Sequence, residues 1–558
     1  MAGMNRGRAR RALASAPNVR SLLFPMTLAI AVACGSDDSG AGAQDGGGGD
    51  GTLAGGDGGA GADGGSPAGV AVAERGNGPR RTAVYIEPAL TKAAAATMKL
   101  DASFTGTIAG NVYAQPLYVE KGPGGKGAFY AVTESNNVYA LDETSGAVLW
   151  QKTLGIPAAS SGAGCGNIAP IGITGTPYID VATRTIYLST AVAAAAGGSI
   201  KTHQIHALSI DDGAERAGGW PLDVSTVKSS NGGATFTPPL QNQRGALIAL
   251  GSTLYVPYGG HAGDCGNYKG WVIAVPTANP SAATGYATPL RGTGIWAPGG
   301  LASDAVSVFA STGNSFGAST WQAGEAILRL GANASFSNTP ADYFSPSDWQ
   351  ALDNGDVDLG GHGAMILDVK GATPAALVLA LGKNGVAYLL DRQNLGGVSK
   401  GNGTTGEGVA SAQVAGGEII GAGTSYTTAS GTYVAFHVHQ GASGSACPNG
   451  QNGDLVALKI GASSPPTITT AWCANNRGEG SPIATSTDGT ANAIVWSVGA
   501  QSNPTRLHGF DGDTGQPVFA GGGGGDVMAG VRRFTSPIAV KGRIIAAADN
   551  KVYAFKPQ

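Results

Sequence analysis

One short strand recurs along this chain. It reads VYAL at 138–141, then IHALSI (205–210), WVIAV (271–275), AILRL (326–330), VAYLLD (386–391), LVALKI (455–460), LHGFD (507–511) and VYAF (552–555). Successive copies start between 45 residues apart (507 to 552) and 69 apart (386 to 455). A supersecondary unit repeating at such a period is the mark of a propeller or solenoid. The first copy, VYALDETSGAVLW, turns through Asp142, Thr144, Ser145 and Gly146 into a second strand ending on Trp150, a β-hairpin pattern. Each copy follows a strand such as AQPLYV or TSPIAV and a middle strand such as TIYLST or RIIAAA. Four short antiparallel strands per repeat make a propeller blade, so the fold class is all-β with eight blades. The 93 glycines and 13% charged residues suit tight turns and do not suit a helical bundle. The last copy ends at VYAFKPQ with no fourth strand behind it, while TMKLDASFTG (97–106) precedes the first copy without a partner. That segment is predicted to complete the eighth blade, formed by residues 532–558, and to close the ring without an exposed edge. The propeller is expected over 82–558.

The first 33 residues read as an export signal. Arg6, Arg8, Arg10 and Arg11 precede the apolar SLLFPMTLAIAVA, which is short for a membrane span. Small residues then lead to Cys34, as in a bacterial lipobox, with Ala31 where such motifs prefer Leu; ordinary cleavage after Ala33 is the alternative. Residues 34–81 are expected to be a lipidated cysteine followed by a Gly/Asp/Ala-rich flexible tether with almost nothing to bury. The expected protein is a monomeric cell-envelope lipoprotein, touching membrane only through its N-terminal lipid. A net charge of −3 provides no basic field and excludes nucleic acid as a partner.

The hairpin VYALDETSGAVLW resembles the tryptophan-docking hairpin of the pyrroloquinoline quinone (PQQ) propellers. That group holds the quinoprotein alcohol dehydrogenases and the non-catalytic BamB-type assembly lipoproteins. In such blades the inner strand starts at the face to which the loop after the second strand returns. That rule gathers Gln115, Arg244, Trp296, His362 and Arg533 with Cys165, Asn167, His261, Asp264, Cys265, Asn314, Lys383, His437 and Cys447 around one axial funnel. Of these, Cys165, Asn167 and Arg244 are candidate cofactor contacts. GIWAPGGLASDAVSVFASTGNS resembles the dehydrogenase motif that supplies an aromatic floor and a calcium-binding Asn, which implies these roles for Trp296 and Asn314. DVDLGGHGAMIL resembles the motif of the proposed catalytic base and implies Asp358 as base and metal ligand. GKNGVAYLLDR implies that Lys383 bonds the quinone oxygens, and Asp264 lies near a calcium-binding carboxylate position. The implied cofactors are PQQ and Ca2+. A flat quinone needs an aromatic face, calcium needs hard oxygen ligands, and a carboxylate next to a cation suits general-base work.

The sequence also departs from that pattern. A single Cys165 stands where the family has a vicinal disulfide, Ser425-Tyr426 replaces an Asn-Trp pair, and no C-x-x-C-H is present to attach haem. His437 and His439, two apart on a strand, are a weak candidate metal pair. The four cysteines of the mature body allow three pairings. The blade assignment favours Cys447 with Cys473, leaving Cys165 with Cys265. Two functions follow. One is a PQQ-dependent dehydrogenase acting on a small alcohol or sugar. The other is a non-catalytic propeller that binds envelope proteins or glycans.

Overall fold

The structure, a computed structural model, describes residues 71–401, 406–439 and 447–558. The expectations for Cys34 and for residues 1–70 lie outside them. Among the described residues the strands form eight antiparallel four-stranded blades, three of which carry one extra strand paired in parallel. The inner strands begin at Leu117–Val119, Tyr178–Asp180, Ile248–Leu250, Ala302–Ser303, Met365–Asp368, Thr424–Thr428, Ile483–Ser486 and Ile538–Val540. The eighth blade closes as expected. Lys99–Leu100 pairs antiparallel with Lys551–Lys556, Leu100 opposite Phe555, so chain from the N-terminal side supplies its outer strand.

The repeated hairpin shows why this sequence folds blade by blade. In the first blade, Asp142 Oδ1 accepts the amides of Thr144 (3.1 Å) and Ser145 (2.9 Å), and Gly146 takes a φ of +71°. An Asp side chain fixes such a turn, and only glycine adopts that φ freely. The strand beyond carries Trp150, whose indole Nε1 donates to the Ile210 carbonyl of the next blade at 2.9 Å. Gly213 leaves room for that indole: a Cβ there would lie 2.9 Å from its ring. Trp472 docks in the same way, donating to the Gly512 carbonyl at 2.8 Å beside Gly515. Apolar side chains between blades form the core, with Trp271, Trp472 and Trp496 fully buried.

Residues 71–81, expected to belong to the tether, lie instead within the propeller. The segment 71–87 fills the axis and meets every blade. Ala71–Val72 pairs antiparallel with the inner strand of blade 1. The Ala73 carbonyl accepts the amide of Ile179 in blade 2 at 2.7 Å, and the Pro79 carbonyl that of Ser303 in blade 4 at 2.7 Å. Arg80 and Thr82 carbonyls accept Ile366 (3.0 Å) and Ser425 (2.8 Å) in blades 5 and 6. Val84–Ile86 adds a parallel strand to blade 7, and Glu87 accepts the Gly542 amide of blade 8 at 2.6 Å. The side chain of Arg81 reaches the Leu247 carbonyl at the start of blade 3 (2.8 Å), the Leu301 carbonyl (2.6 Å) and Glu74 (2.9 Å). A propeller axis is lined by inner-strand edges whose backbone groups need partners, and this hairpin supplies them.

Candidate functional site

The loops after the second strands and the starts of the inner strands enclose a cavity of about 470 Å³ at one end of the axis. Its wall includes Asn167, Arg244, Asp264, Trp296, Asn314, Asp358 and Lys383; of the candidate cofactor and metal residues, Cys165 and His437 are not part of it. Cys165 is bonded to Cys265 between loops of blades 2 and 3, and Gly263 next to the bond is part of the wall. Cys447 pairs with Cys473, so both expected pairings are formed.

Asp358 sits in a close-fitting cradle. It precedes a short 3-10 turn, Leu359–Gly361, and each of its oxygens has a donor. Oδ1 accepts the Asn314 amide at 2.8 Å, and Oδ2 lies 2.5 Å from Lys383 Nζ. Its carbonyl accepts the Lys383 amide at 2.9 Å. Gly313 has to be glycine, because a Cβ there would meet Asp358 Oδ1 at 2.3 Å. Beneath the turn, the fully buried Glu325 accepts the Leu359 amide at 2.6 Å. Burial, with the Asp358 charge beside it, pushes the Glu325 carboxyl well above the usual range. Burial works to depress the Lys383 ammonium, but Asp358 and Asp356 outweigh it and hold its pKa above the usual lysine value. The same Nζ lies 5.5 Å from the Trp296 ring centroid, within cation–π range.

Across the cavity the wall changes character. Arg244, Thr174, Thr176 and Tyr113 rise from the inner-strand starts of blades 1 to 3, and Arg75 comes from the axial hairpin below. Gln115 and His362, expected in the funnel, are buried beneath it. Gln115 Oε1 accepts the Gly76 amide at 3.2 Å, and His362 Nδ1 lies 2.7 Å from the Gly363 carbonyl. Arg533 and His261 do line the cavity. Burial lowers the His261 pKa to about 4, aided by His203 and Arg244, so it faces the cavity as neutral imidazole.

Asn314, Asp358 and Asp264, the expected calcium ligands, line the same cavity. Among the described residues no group of three or more His, Cys, Asp or Glu could hold a metal ion. Tyr268 donates to Asp264 Oδ1 at 2.6 Å, and Lys383 Nζ pairs with Asp358. The His437–His439 pair gathers no metal set either. His437 Nε2 is 4.0 Å from Asp454, and His439 contacts Glu479 at 2.8 Å. Tyr426 packs between blades with its hydroxyl on the Gly512 carbonyl (2.7 Å), away from the site.

Sequence reasoning missed Arg75, Tyr113, Thr174, Thr176, Tyr268, Asp356, Glu418 and Arg532, which also line the cavity, as does His439 of the candidate metal pair. Thr174 and Thr176 stand just ahead of an inner strand, the same positional rule that found Arg244. Nothing in the sequence pointed to Arg75.

No known family model matches the sequence, and no curated protein matches it significantly. Solved structures do match in fold. A quinohemoprotein alcohol dehydrogenase from Pseudomonas putida superposes with a TM-score of 0.57 at 13% identity, over 88% of this chain and 80% of that one. The quinohemoprotein alcohol dehydrogenase of Comamonas testosteroni gives 0.53 at 14% identity, over 88% and 81%. A europium-containing methanol dehydrogenase gives 0.56 at 13% identity, over 87% and 89%. The fold is that of the quinoprotein alcohol dehydrogenases. At such identities the likeness extends to the fold alone.

Proposed function

We propose that this chain is an exported oxidoreductase that holds PQQ in the axial cavity and oxidises a small alcohol or sugar. The observation that carries the reading is the meeting of Trp296, Asn314, Asp358 and Lys383 at one cavity, although they lie up to 87 residues apart in sequence (383 minus 296). The donor set suits a flat, anionic quinone. It offers the indole of Trp296, the ammonium of Lys383, and guanidinium groups without acid partners in a cavity within the usual ligand-site range of about 300–1,000 Å³. PQQ, when bound, supplies a quinone that takes up two electrons. Asp358 is the group to receive the alcohol proton. Lys383 beside it holds one carboxylate oxygen in an ion pair, and the Asn314 amide fixes the other. Glu325, buried beneath, anchors the turn by accepting the Leu359 amide. No step is assigned to calcium. Two disulfides fit an oxidising compartment and support export.

The test is reconstitution of purified protein with PQQ, with and without Ca2+, followed by quinone absorbance and dye reduction with alcohols and sugars. The single Cys165 and the Ser425-Tyr426 pair, which depart from the dehydrogenase pattern, favour the second reading, a BamB-type binding propeller at the cell envelope. Absence of PQQ binding under both conditions would select that reading.

A further inference from the structure

Five cationic side chains line the cavity: Arg75, Arg244, Lys383, Arg532 and Arg533. Three have acid partners. Lys383 pairs with Asp358, Arg532 Nη2 lies 2.6 Å from Asp549, and Arg533 Nε lies 2.6 Å from Glu479, an ion pair without hydrogen-bond geometry. Arg75 and Arg244 make no ion pair among the described residues. Arg75 is 2% exposed, yet its Nη2 meets only Ser481 Oγ (3.3 Å) and the Phe534 carbonyl (3.2 Å), and its buried Nε has no partner. Arg244 Nη2 meets only the Asn167 side-chain oxygen, at 3.4 Å. Desolvation holds both guanidinium groups below the usual arginine value, Arg75 at about 10 with repulsion from Arg81 adding to the effect. Arg75 is a buried cation with no counter-ion, which is costly unless something completes it, and Arg244, only part-buried, stands on the cavity wall with its fork open. Arg81, from the same hairpin, shows what completion looks like: a carboxylate and several carbonyls surround it.

We propose that Arg75 and Arg244 form a carboxylate-binding subsite at the axial floor and wall of the cavity, so that the molecule held there is an organic anion. The inference rests on the reading of this cavity as a cofactor and substrate site, and it names the chemistry that one end of the site selects. Guanidinium forks match carboxylates in two-point contact. Thr174 and Thr176 beside them offer hydroxyls to the remaining lone pairs, and Asn167 already braces Arg244. The carboxylate can belong to the cofactor, as PQQ carries carboxylates, or to a substrate such as a sugar acid.

The experiment titrates the full-length protein at low ionic strength, by intrinsic fluorescence and calorimetry, with two matched pairs of probes. One pair is PQQ and its trimethyl ester; the other is D-gluconate and D-glucose. In the wild type, one acid is expected to bind about 10- to 100-fold tighter than its neutral counterpart, the range of a charge-assisted contact. Arg244→Gln should erase that preference, and Arg75→Gln should do the same where it folds. A preference within the PQQ pair assigns the carboxylate to the cofactor, and one within the sugar pair assigns it to the substrate. If PQQ does not bind but gluconate is preferred, the dehydrogenase reading falls and the subsite stands. If PQQ binds and neither pair shows a preference, the subsite falls alone. A preference that survives in Arg244→Gln within twofold likewise overturns it.

Discussion

The two sides of the cavity are built on opposite plans. On the Asp358 side the carboxylate has a partner at each oxygen, Oδ2 with Lys383 and Oδ1 with the Asn314 amide, while Glu325 behind them accepts the Leu359 amide and leaves its other oxygen without a partner. On the Arg75 and Arg244 side two guanidinium groups stand without acids. A carboxylate held at both oxygens keeps one geometry, which suits a group that must meet a proton at a fixed place. An open guanidinium keeps its unmet demand for a ligand. On the proposed reading, the difference separates the part of the site set for chemistry from the part set for binding.

The sharpest way to break this contrast is Asp358→Asn. It should lower PQQ-dependent dye reduction by about 10²- to 10⁴-fold, the usual weight of a general base, and leave PQQ affinity within a few-fold. Steady-state rates and a fluorescence titration measure the two. Equal losses in both would make Asp358 a binding residue and erase the division.

The next test compares two arginines of the axial hairpin. Arg81→Gln leaves the buried Glu74 without its partner and should cost about 3–5 kcal/mol in urea unfolding. Arg75→Gln removes an uncompensated charge and should cost less than about 1 kcal/mol, or stabilise. If the two cost the same, Arg75 is a structural residue after all.

Glu134 sharpens the picture through pH. It is fully buried beside the cavity wall, and burial raises its carboxyl to about 7, against the Gly172 amide and Thr174. A carboxyl whose folded pKa is raised gives stability that is complete below about pH 4.5 and gone above about pH 7. Relative to Glu134→Gln, the wild type should lose about 3 kcal/mol across that window, at about 1.4 kcal/mol per unit. Parallel stability profiles for the two proteins would show that the group does not titrate there. The smallest effect is expected far from the cavity. Trp150→Phe removes the bond to the Ile210 carbonyl and should cost about 1 kcal/mol, read as a shift in the unfolding midpoint.

The blades were legible because their signals are local. An Asp-led turn, a following glycine and an outer-strand Trp repeat within a dozen residues, and the orphan strand at 97–106 had to find a blade lacking one. Trp296, Asn314, Asp358 and Lys383 were legible through short motifs that resemble those of a known family, and the blade order then brought them together. The axial hairpin was not legible. AVAERGNGPRR has neither strand alternation nor an apolar face, and its partners, with those of the chain up to Glu87, are groups scattered over all eight blades. For the same reason Arg75 read as tether, and nothing marked Glu134 or Glu325, whose carboxyls burial raises. The motif likewise marked the candidate calcium carboxylates, but not the Tyr268 hydroxyl, four residues on, that folding aims at Asp264.

The axial hairpin also decides traffic. Ala71–Val72 runs up the inner strand of blade 1 towards the cavity, and Val84–Ile86 runs back down blade 7 to Glu87, at the turn of blade 8 remote from the cavity. The propeller is therefore a cup with one door and no drain. Whatever binds deepest must arrive first and leave last, so a cofactor seated on the floor is locked in while anything lies above it.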